Sequence, residues 1–467
     1  MNIQGFYLMP HPPIIIPEVG KGQEAKIVKT SESLHKIGKE IENMAPETII
    51  VVTPHGTMFQ DAISLVNEDN IQGNLKNFGV PQVSMNLKVN KVLTERIHEL
   101  ARAENIPTVM ISNTFLKNYK STLSLDHGVI VPLYFINKYY NKYKIVHITY
   151  APLNDVSLYR FGVILKKAVE ELKEKTIFIA SGDLSHRLKE EGPYEFSPFG
   201  EKFDTEFLNN LKNGDVCNLF NMDEETVCNA GECGRKSVFI MLGALDGKKF
   251  KGELLSYQGT FGVGYGVMRL NILGEEKSKL KELEEIKNLR YSKKLNHKDV
   301  FVRLSRESLT YFLTTGEKLK KLPNYITEEM RQNKRGVFVS LKKYGELRGC
   351  IGTISPATNS IAEEIIRNVI EAATQDPRFS PVEESELFDL DFSVDVLTEA
   401  IAASKSELDP KKYGVIVTRM GRRGLLLPDL EGVNTVEEQL SIALKKAGIS
   451  SEEPFSIEKF EVIRHKE

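Results

Sequence analysis

Residues 1–272 alternate short apolar runs with amphipathic stretches of helical period. Asn2–Met9, Thr48–Thr53, Thr108–Ser112, Lys144–Tyr150 and Thr176–Ser181 read as buried strands. Their apolar positions run together instead of alternating with polar ones, as expected of strands covered on both faces. Between them, Gln23–Asn43, Val89–Asn105 and Leu158–Lys173 space apolar residues three or four apart, which predicts helices with one buried stripe. Strand–helix alternation at this spacing argues an α/β sheet with flanking helices. Glu253–Leu270 adds a strand pair with a Gly-rich join over Gly259–Gly266.

The pattern changes over residues 273–298. Leu280, Leu283, Ile286 and Leu289 stand three apart among charges, predicting a connecting helix with one apolar stripe. From Asp299 the rhythm restarts with a helix (Val302–Leu319), a hairpin around Gly336–Ile354, a helix (Ser360–Thr374) and strands at Leu390–Thr398 and Gly414–Thr418. That order is α+β. The expected organisation is a domain over 1–272, a charged linker helix over 273–298 and a second domain over 299–467.

Composition narrows the class. The chain has 467 residues, 41% hydrophobic and 27% charged, ordinary for a globular protein. No apolar run approaches the roughly 18 residues that cross a membrane. The N-terminus lacks a basic flank followed by an apolar core, so no secretory leader is expected. Four Cys are too few for a disulfide framework, and a reducing, cytoplasmic setting is expected. With 62 Lys+Arg against 64 Asp+Glu, the basic excess of a nucleic-acid binder is missing.

The candidate chemistry lies among the nine His. His11 follows the first strand in Met9-Pro10-His11-Pro12-Pro13, His55 the second in Thr53-Pro54-His55-Gly56, and His186 another in Ser181-Gly182-Asp183-Leu184-Ser185-His186. Three imidazoles thus emerge past C-terminal strand ends, where open α/β sheets build their sites. His127 opens a helix in Leu125-Asp126-His127-Gly128, where the helix dipole disfavours the imidazolium. His35 and His98 sit on amphipathic helices and read as solvated, while His147 reads as structural. Two His and one carboxylate can hold one face of an iron(II) ion and leave three positions open. Glu232, in Gly231-Glu232-Cys233-Gly234-Arg235, is the expected third ligand; the bland alternative is a first-turn acid on a helix dipole. Cys233 is the alternative ligand.

These His-bearing segments resemble the catalytic subunit of class III extradiol ring-cleavage dioxygenases (the LigB-like superfamily) over about residues 1–270. The resemblance implies His11, His55 and Glu232 as Fe(II) ligands, His186 as general base and His127 as a group meeting a substrate oxygen. The same superfamily holds the Memo proteins, in which a Cys, here Cys233, takes the third metal position. It implies a non-haem iron protein acting on a catechol-like or other chelating small molecule. The alternatives are an iron- or copper-binding Memo-like protein that works beside a radical-SAM partner without ring cleavage, and a non-enzymatic adaptor.

The second domain resembles the AMMECR type through Leu347-Arg348-Gly349-Cys350-Ile351-Gly352-Thr353, Asp376-Pro377-Arg378-Phe379 and Gly421-Arg422-Arg423-Gly424-Leu425. The tandem resembles proteins of the AmmeMemoRadiSam set. Arg348, two residues from Cys350 on one strand face, is placed to favour a thiolate, although the domain offers no central His as a base. Arg419, Arg422 and Arg423 form a short basic cluster whose simplest reading is a solvated face, with a phosphate site as the alternative.

Overall fold

The computed structural model describes residues 2–343, 345–430 and 432–467. The chain divides into two compact units, Met1–Asn288 and Leu289–Glu467. The first contains strands β1 (Ile3–Met9), β2 (Thr48–Thr53), β3 (Ile63–Val66), β4 (Asn70–Leu75), β5 (Val80–Lys88), β6 (Thr108–Ile111), β7 (Lys144–Thr149), β8 (Thr176–Ser181), β9 (Lys248–Gln258) and β10 (Tyr265–Glu275). Eight of them form one sheet in the order β6-β3-β7-β2-β8-β1-β10-β9, and β4 and β5 form a separate hairpin. The central strands β7, β2, β8 and β1 are parallel, while β10 runs antiparallel to β1.

Both faces of the sheet are covered, which explains the continuous apolar runs. Ile50 and Val52 point into one core, and Ile49 and Val51, one residue out of phase, into the other. Helices Lys91–Ala103, Asp155–Leu172 and Arg235–Ala244 contribute to the first core; Val28–Met44 and His127–Asn137 contribute to the second. Register then sets the site. Ala180 of β8 pairs with both Leu8 of β1 and Val52 of β2, so these adjacent parallel strands end at one level. The loops that follow all open at the same edge.

The five strands expected in the central sheet are present within a residue at each end, and the strand pair expected over Glu253–Leu270 runs five residues further at each outer end, from Lys248 to Glu275. The helix expected from Gln23 begins as a 3-10 segment (Gln23–Ile27) before Val28. Strands β3–β5 and the helix Pro198–Asn213 escaped the sequence reading. In β4 only Ile71 and Leu75 are buried, too few to set a period. In the connecting helix Leu280–Leu295, Leu283 is fully buried against the first core with Leu280 and Ile286 beside it, while Leu289 is exposed.

The second unit holds two antiparallel four-stranded sheets. One, ordered β12-β11-β13-β18, comprises β11 (Val337–Lys343), β12 (Glu346–Gly352), β13 (Leu390–Leu397) and β18 (Val462–Lys466). The other, ordered β14-β17-β15-β16, comprises β14 (Ile401–Ala402), β15 (Gly414–Arg419), β16 (Arg422–Leu426) and β17 (Ser456–Phe460). Helices Val300–Thr315 and Ile361–Thr374 share the core of the first sheet, and Val436–Ala447 that of the second. Leu397, Ile416, Leu425 and Phe460 form a small core of their own. The α/β and α+β classes expected of the two halves are those observed. Among the described residues no helix is long and apolar enough to cross a membrane.

Candidate metal centre

His11 and His55 leave β1 and β2 through Pro-containing loops and converge until their Nε2 atoms stand 3.0 Å apart. His11 is buried and His55 lies at the opening of the site. The Nδ1 atom of His11 is engaged by the Ser181 hydroxyl at 2.9 Å, which fixes the ring and leaves Nε2 for a ligand. The Cys233 sulfur lies 3.6 Å from the same Nε2. One donor atom from each of His11, His55 and Cys233 falls within 4.8 Å of the others.

Cys233 reaches this position through a close crossing of two backbones. A Cβ added to Gly182, just past β8, would lie 2.0 Å from the Cα of Gly234, so glycine is required at 182, and a Cβ at Gly234 would stand a tight 3.1 Å from the Asp183 carbonyl oxygen. The crossing is tied by hydrogen bonds: the Asp183 N–H donates to the Cys233 sulfur at 3.3 Å, and the Cys233 N–H donates to the Asp183 carbonyl at 3.3 Å. The Tyr150 hydroxyl donates to the Cys233 carbonyl at 3.0 Å.

Glu232 sits one residue away and does something else. Its carboxylate accepts the Arg235 N–H at 2.6 Å, which closes the first turn of the helix Arg235–Ala244. It is absent from the donor cluster, where Cys233 stands instead. Burial raises its pKa, and the Arg235 charge and N–H oppose the shift.

Around the donor set lie two further imidazoles. His127 stacks on His55 with ring centroids 4.2 Å apart, and Phe78, at the tip of the β4–β5 hairpin, approaches the His127 ring edge-on at 5.2 Å. His186 directs Nδ1 at the Gly231 carbonyl. Since a carbonyl only accepts, Nδ1 carries the proton, and neutral His186 keeps a lone pair on Nε2. Sequence reasoning gave no role to Asp183, although it lies in the segment that ends at His186. Its carboxylate accepts the His11 N–H at 2.8 Å, and one oxygen is 4.0 Å from His11 Nε2. Asp126 and His147 were missed as a pair. Asp126 accepts from the Thr53 hydroxyl at 2.7 Å and engages His147 Nε2 at 3.1 Å, tying β7 to the residue before His127. His35 and His98, expected to be solvated, are instead bonded to the Tyr139 hydroxyl at 3.1 Å and the Thr108 hydroxyl at 2.7 Å.

The electrostatics favour uncharged donors. Burial, reinforced by His55, His127 and His186, pushes His11 well below the ordinary imidazole range. Burial and the neighbouring His127 lower His55 to about 4. Burial likewise lowers His127 and His186. Asp183 is raised to about 7 by burial, and the Cys233 thiol is raised by burial with Asp183 adding to it. His11, His55 and the Cys233 thiol thus bring three uncharged donors within 4.8 Å of one another, with neutral His127 stacked on His55 and little charge to balance them. A divalent ion fits this set: its charge would reverse the penalty on the thiolate, and the neutral imidazoles need lose no proton to bind it.

In the second unit, Arg348 is not directed at Cys350. It donates to both oxygens of Glu386, at 3.0 and 2.8 Å, and to the Ser380 and Pro381 carbonyls. Cys350 receives the Ser340 hydroxyl at 3.2 Å, and its own N–H donates to Asp376 at 2.9 Å. The cation beside Cys350 is Arg378, which interacts with its side chain and donates to its carbonyl at 3.4 Å while pairing with Asp376 at 2.7 Å.

Comparison with known proteins agrees with both halves. Residues 5–268 match the family described as the catalytic LigB subunit of aromatic ring-opening dioxygenase, and residues 302–466 match AMMECR1. A Clostridium acetobutylicum protein, CA_C1420, is 64% identical over 467 residues, covering all of both chains. A Thermotoga maritima protein is 54% identical over 144 residues, 30% of this chain and 83% of its own. The crystal structure of PH0010 from Pyrococcus horikoshii is 31% identical and covers 36% of this chain and 90% of its own, with a TM-score of 0.34. The chain belongs to the family of the catalytic LigB subunit of aromatic ring-opening dioxygenases, with an AMMECR1 domain fused behind it.

Proposed function

We propose that the N-terminal unit is a metal-dependent, Memo-like member of this family. His11, His55 and Cys233 would hold one first-row divalent ion, iron(II) in the first place, and the bound substrate would be a small chelating molecule. The observation that carries this reading is the identity of the third donor: the Cys233 sulfur lies beside His11 Nε2, and Glu232 is engaged in capping a helix. A thiolate beside two imidazoles makes a softer site than the two-His, one-carboxylate set.

The metal would supply a Lewis acid and open coordination positions for the oxygens of the ligand. The chain's own groups supply the rest. His186, neutral and with Nε2 free, is set to take a proton from an incoming hydroxyl. His127 is held against His55, where it would meet an oxygen of the same ligand. Phe78 shields that ring edge from water. Ring cleavage of a catechol is the second reading, and it requires Glu232 to leave its cap. A radical-SAM protein as partner and a cytoplasmic location belong to the same proposal.

Metal content after anaerobic purification tests it, comparing wild type with His55→Ala, Cys233→Ala and Glu232→Gln. Near-stoichiometric iron that is lost in the first two variants and kept in the third is the expected result. Retention in Cys233→Ala with loss in Glu232→Gln would restore the carboxylate triad. A wild type without any metal would remove the proposal and leave the adaptor reading.

A further inference from the structure

The second unit contains a cavity of about 430 Å³ where its two sheets meet, a size ordinary for small-molecule sites. Its floor is apolar: Ile416 and Phe460 are almost fully buried there, with Ile354 packed against them. Its rim is cationic. Lys334 and Arg335 enter from the segment before β11, and Arg423 enters from β16.

The basic cluster seen in the sequence is divided by strand alternation. Arg419 and Arg422 both pair with Glu453, at 2.7 and 2.9 Å. Arg423, on the opposite face from Arg422, turns to the cavity. It donates to the Ser355 hydroxyl at 3.2 Å and pairs with Glu458 at 3.3 Å. Lys334 donates to Asn359 at 3.3 Å. Arg335 is half-buried and makes no hydrogen bond or ion pair with any described residue. Among the described residues Glu399 is the one acid lining the cavity, so the cations outnumber it.

The rim stands on fixed backbone. The buried Glu364 carboxylate accepts the Ala357 and Thr358 N–H groups at 3.0 and 2.9 Å and the Thr358 hydroxyl at 2.7 Å, which pins the loop carrying Ser355. A Cβ at Gly336 would lie 2.5 Å from the Thr353 and Ile354 carbonyl oxygens, so the segment carrying Arg335 is packed directly on that loop.

We propose that this cavity binds a small phosphate monoester with a compact apolar body. Guanidinium forks match the oxygens of a phosphate. A monoester carries about −1.5 to −2 charge and three acceptor oxygens at neutral pH, against a single charge and two oxygens for a carboxylate. The floor of Ile416 and Phe460 gives the apolar body its contact, which inorganic phosphate would leave unused.

The test uses the full chain with 13C-methyl-labelled isoleucine and phenyl phosphate as the probe. Saturable shifts at Ile354 and Ile416 are expected, with a dissociation constant below roughly 1 mM. Inorganic phosphate and benzoate should each bind at least about tenfold more weakly, and so should phenyl phosphate to Arg335→Gln. Arg423→Gln serves as a second variant, and the remaining methyl spectrum reports folding in both. Absence of shifts at these two methyls, unchanged affinity in both variants, or benzoate bound as tightly as the ester would each overturn the proposal. Equal affinity for inorganic phosphate would reduce the site to one for the free anion and overturn the ester.

Discussion

Replacing Gly182 by Ala tests whether the glycine crossing positions Cys233. The added Cβ would stand 2.0 Å from the Gly234 Cα, whereas carbon atoms rest at about 3.5–4.0 Å. The two segments must therefore part by about 1.5 Å. Both obstacles are backbone, anchored by β8 on one side and the helix Arg235–Ala244 on the other, so no flexible side chain can absorb the strain. Overpacking of this kind costs about 1–3 kcal/mol, and the upper end applies here. For a unit of this size that lowers the unfolding midpoint by about 6–12 °C. The chain has no Trp, so unfolding is best followed by far-UV circular dichroism. Displacement of Cys233 by more than an ångström should also weaken metal binding by at least about tenfold. Gly274→Ala is the control, because nothing lies within 4 Å of its added Cβ, and it should change stability by less than about 0.5 kcal/mol. A Gly182→Ala protein with the melting temperature and metal affinity of wild type would refute the reasoning.

Arg348→Gln should destabilise the second unit by about 2–3 kcal/mol at pH 7, measured by urea unfolding, and leave metal content unchanged. Burial opposes the charge on Glu386, but Arg348 and Lys343 outweigh it and hold the carboxyl at about 2. The stability this contributes is present above the ordinary carboxylate pKa and fades as pH falls toward 2, so the variant and wild type should converge in acid. Asp204 behaves in the opposite sense. It is buried, accepts the Tyr257 hydroxyl at 2.7 Å and the Ser185 N–H at 2.8 Å, and is still raised to about 7 by burial. The native state keeps a proton between about pH 4 and 7 that the unfolded chain has lost, so stability falls as pH rises through that window. Asp204→Asn should remove a slope worth up to about 4 kcal/mol; parallel stability profiles for the two proteins would contradict the assignment. Glu232→Ala should cost about 1 kcal/mol through loss of the helix cap, read as a small drop in thermal midpoint.

The hydrophobic pattern determined the fold class and the central strands, because β2 and β8 are buried at every position and a continuous apolar run has few other places to go. It also placed His11, His55 and His186 at strand ends, since Pro and Gly stop a strand where they occur in the chain. β3 and the β4–β5 hairpin were not legible: β3 is four residues long and β4 buries only Ile71 and Leu75, so no period emerges in either. Position along the chain likewise could not choose between Glu232 and Cys233, which are neighbours with equal access to the loop. That choice was made by Gly182 and Gly234, 52 positions apart, whose contact turns the thiol toward His11 and leaves the carboxylate to the helix. Arg348 shows the same limit: spacing put it on the face of Cys350, but Glu386, from a distant segment, offered it two oxygens. Sequence specifies what each residue can do, and the partner that holds it is set by contacts between segments far apart in the chain.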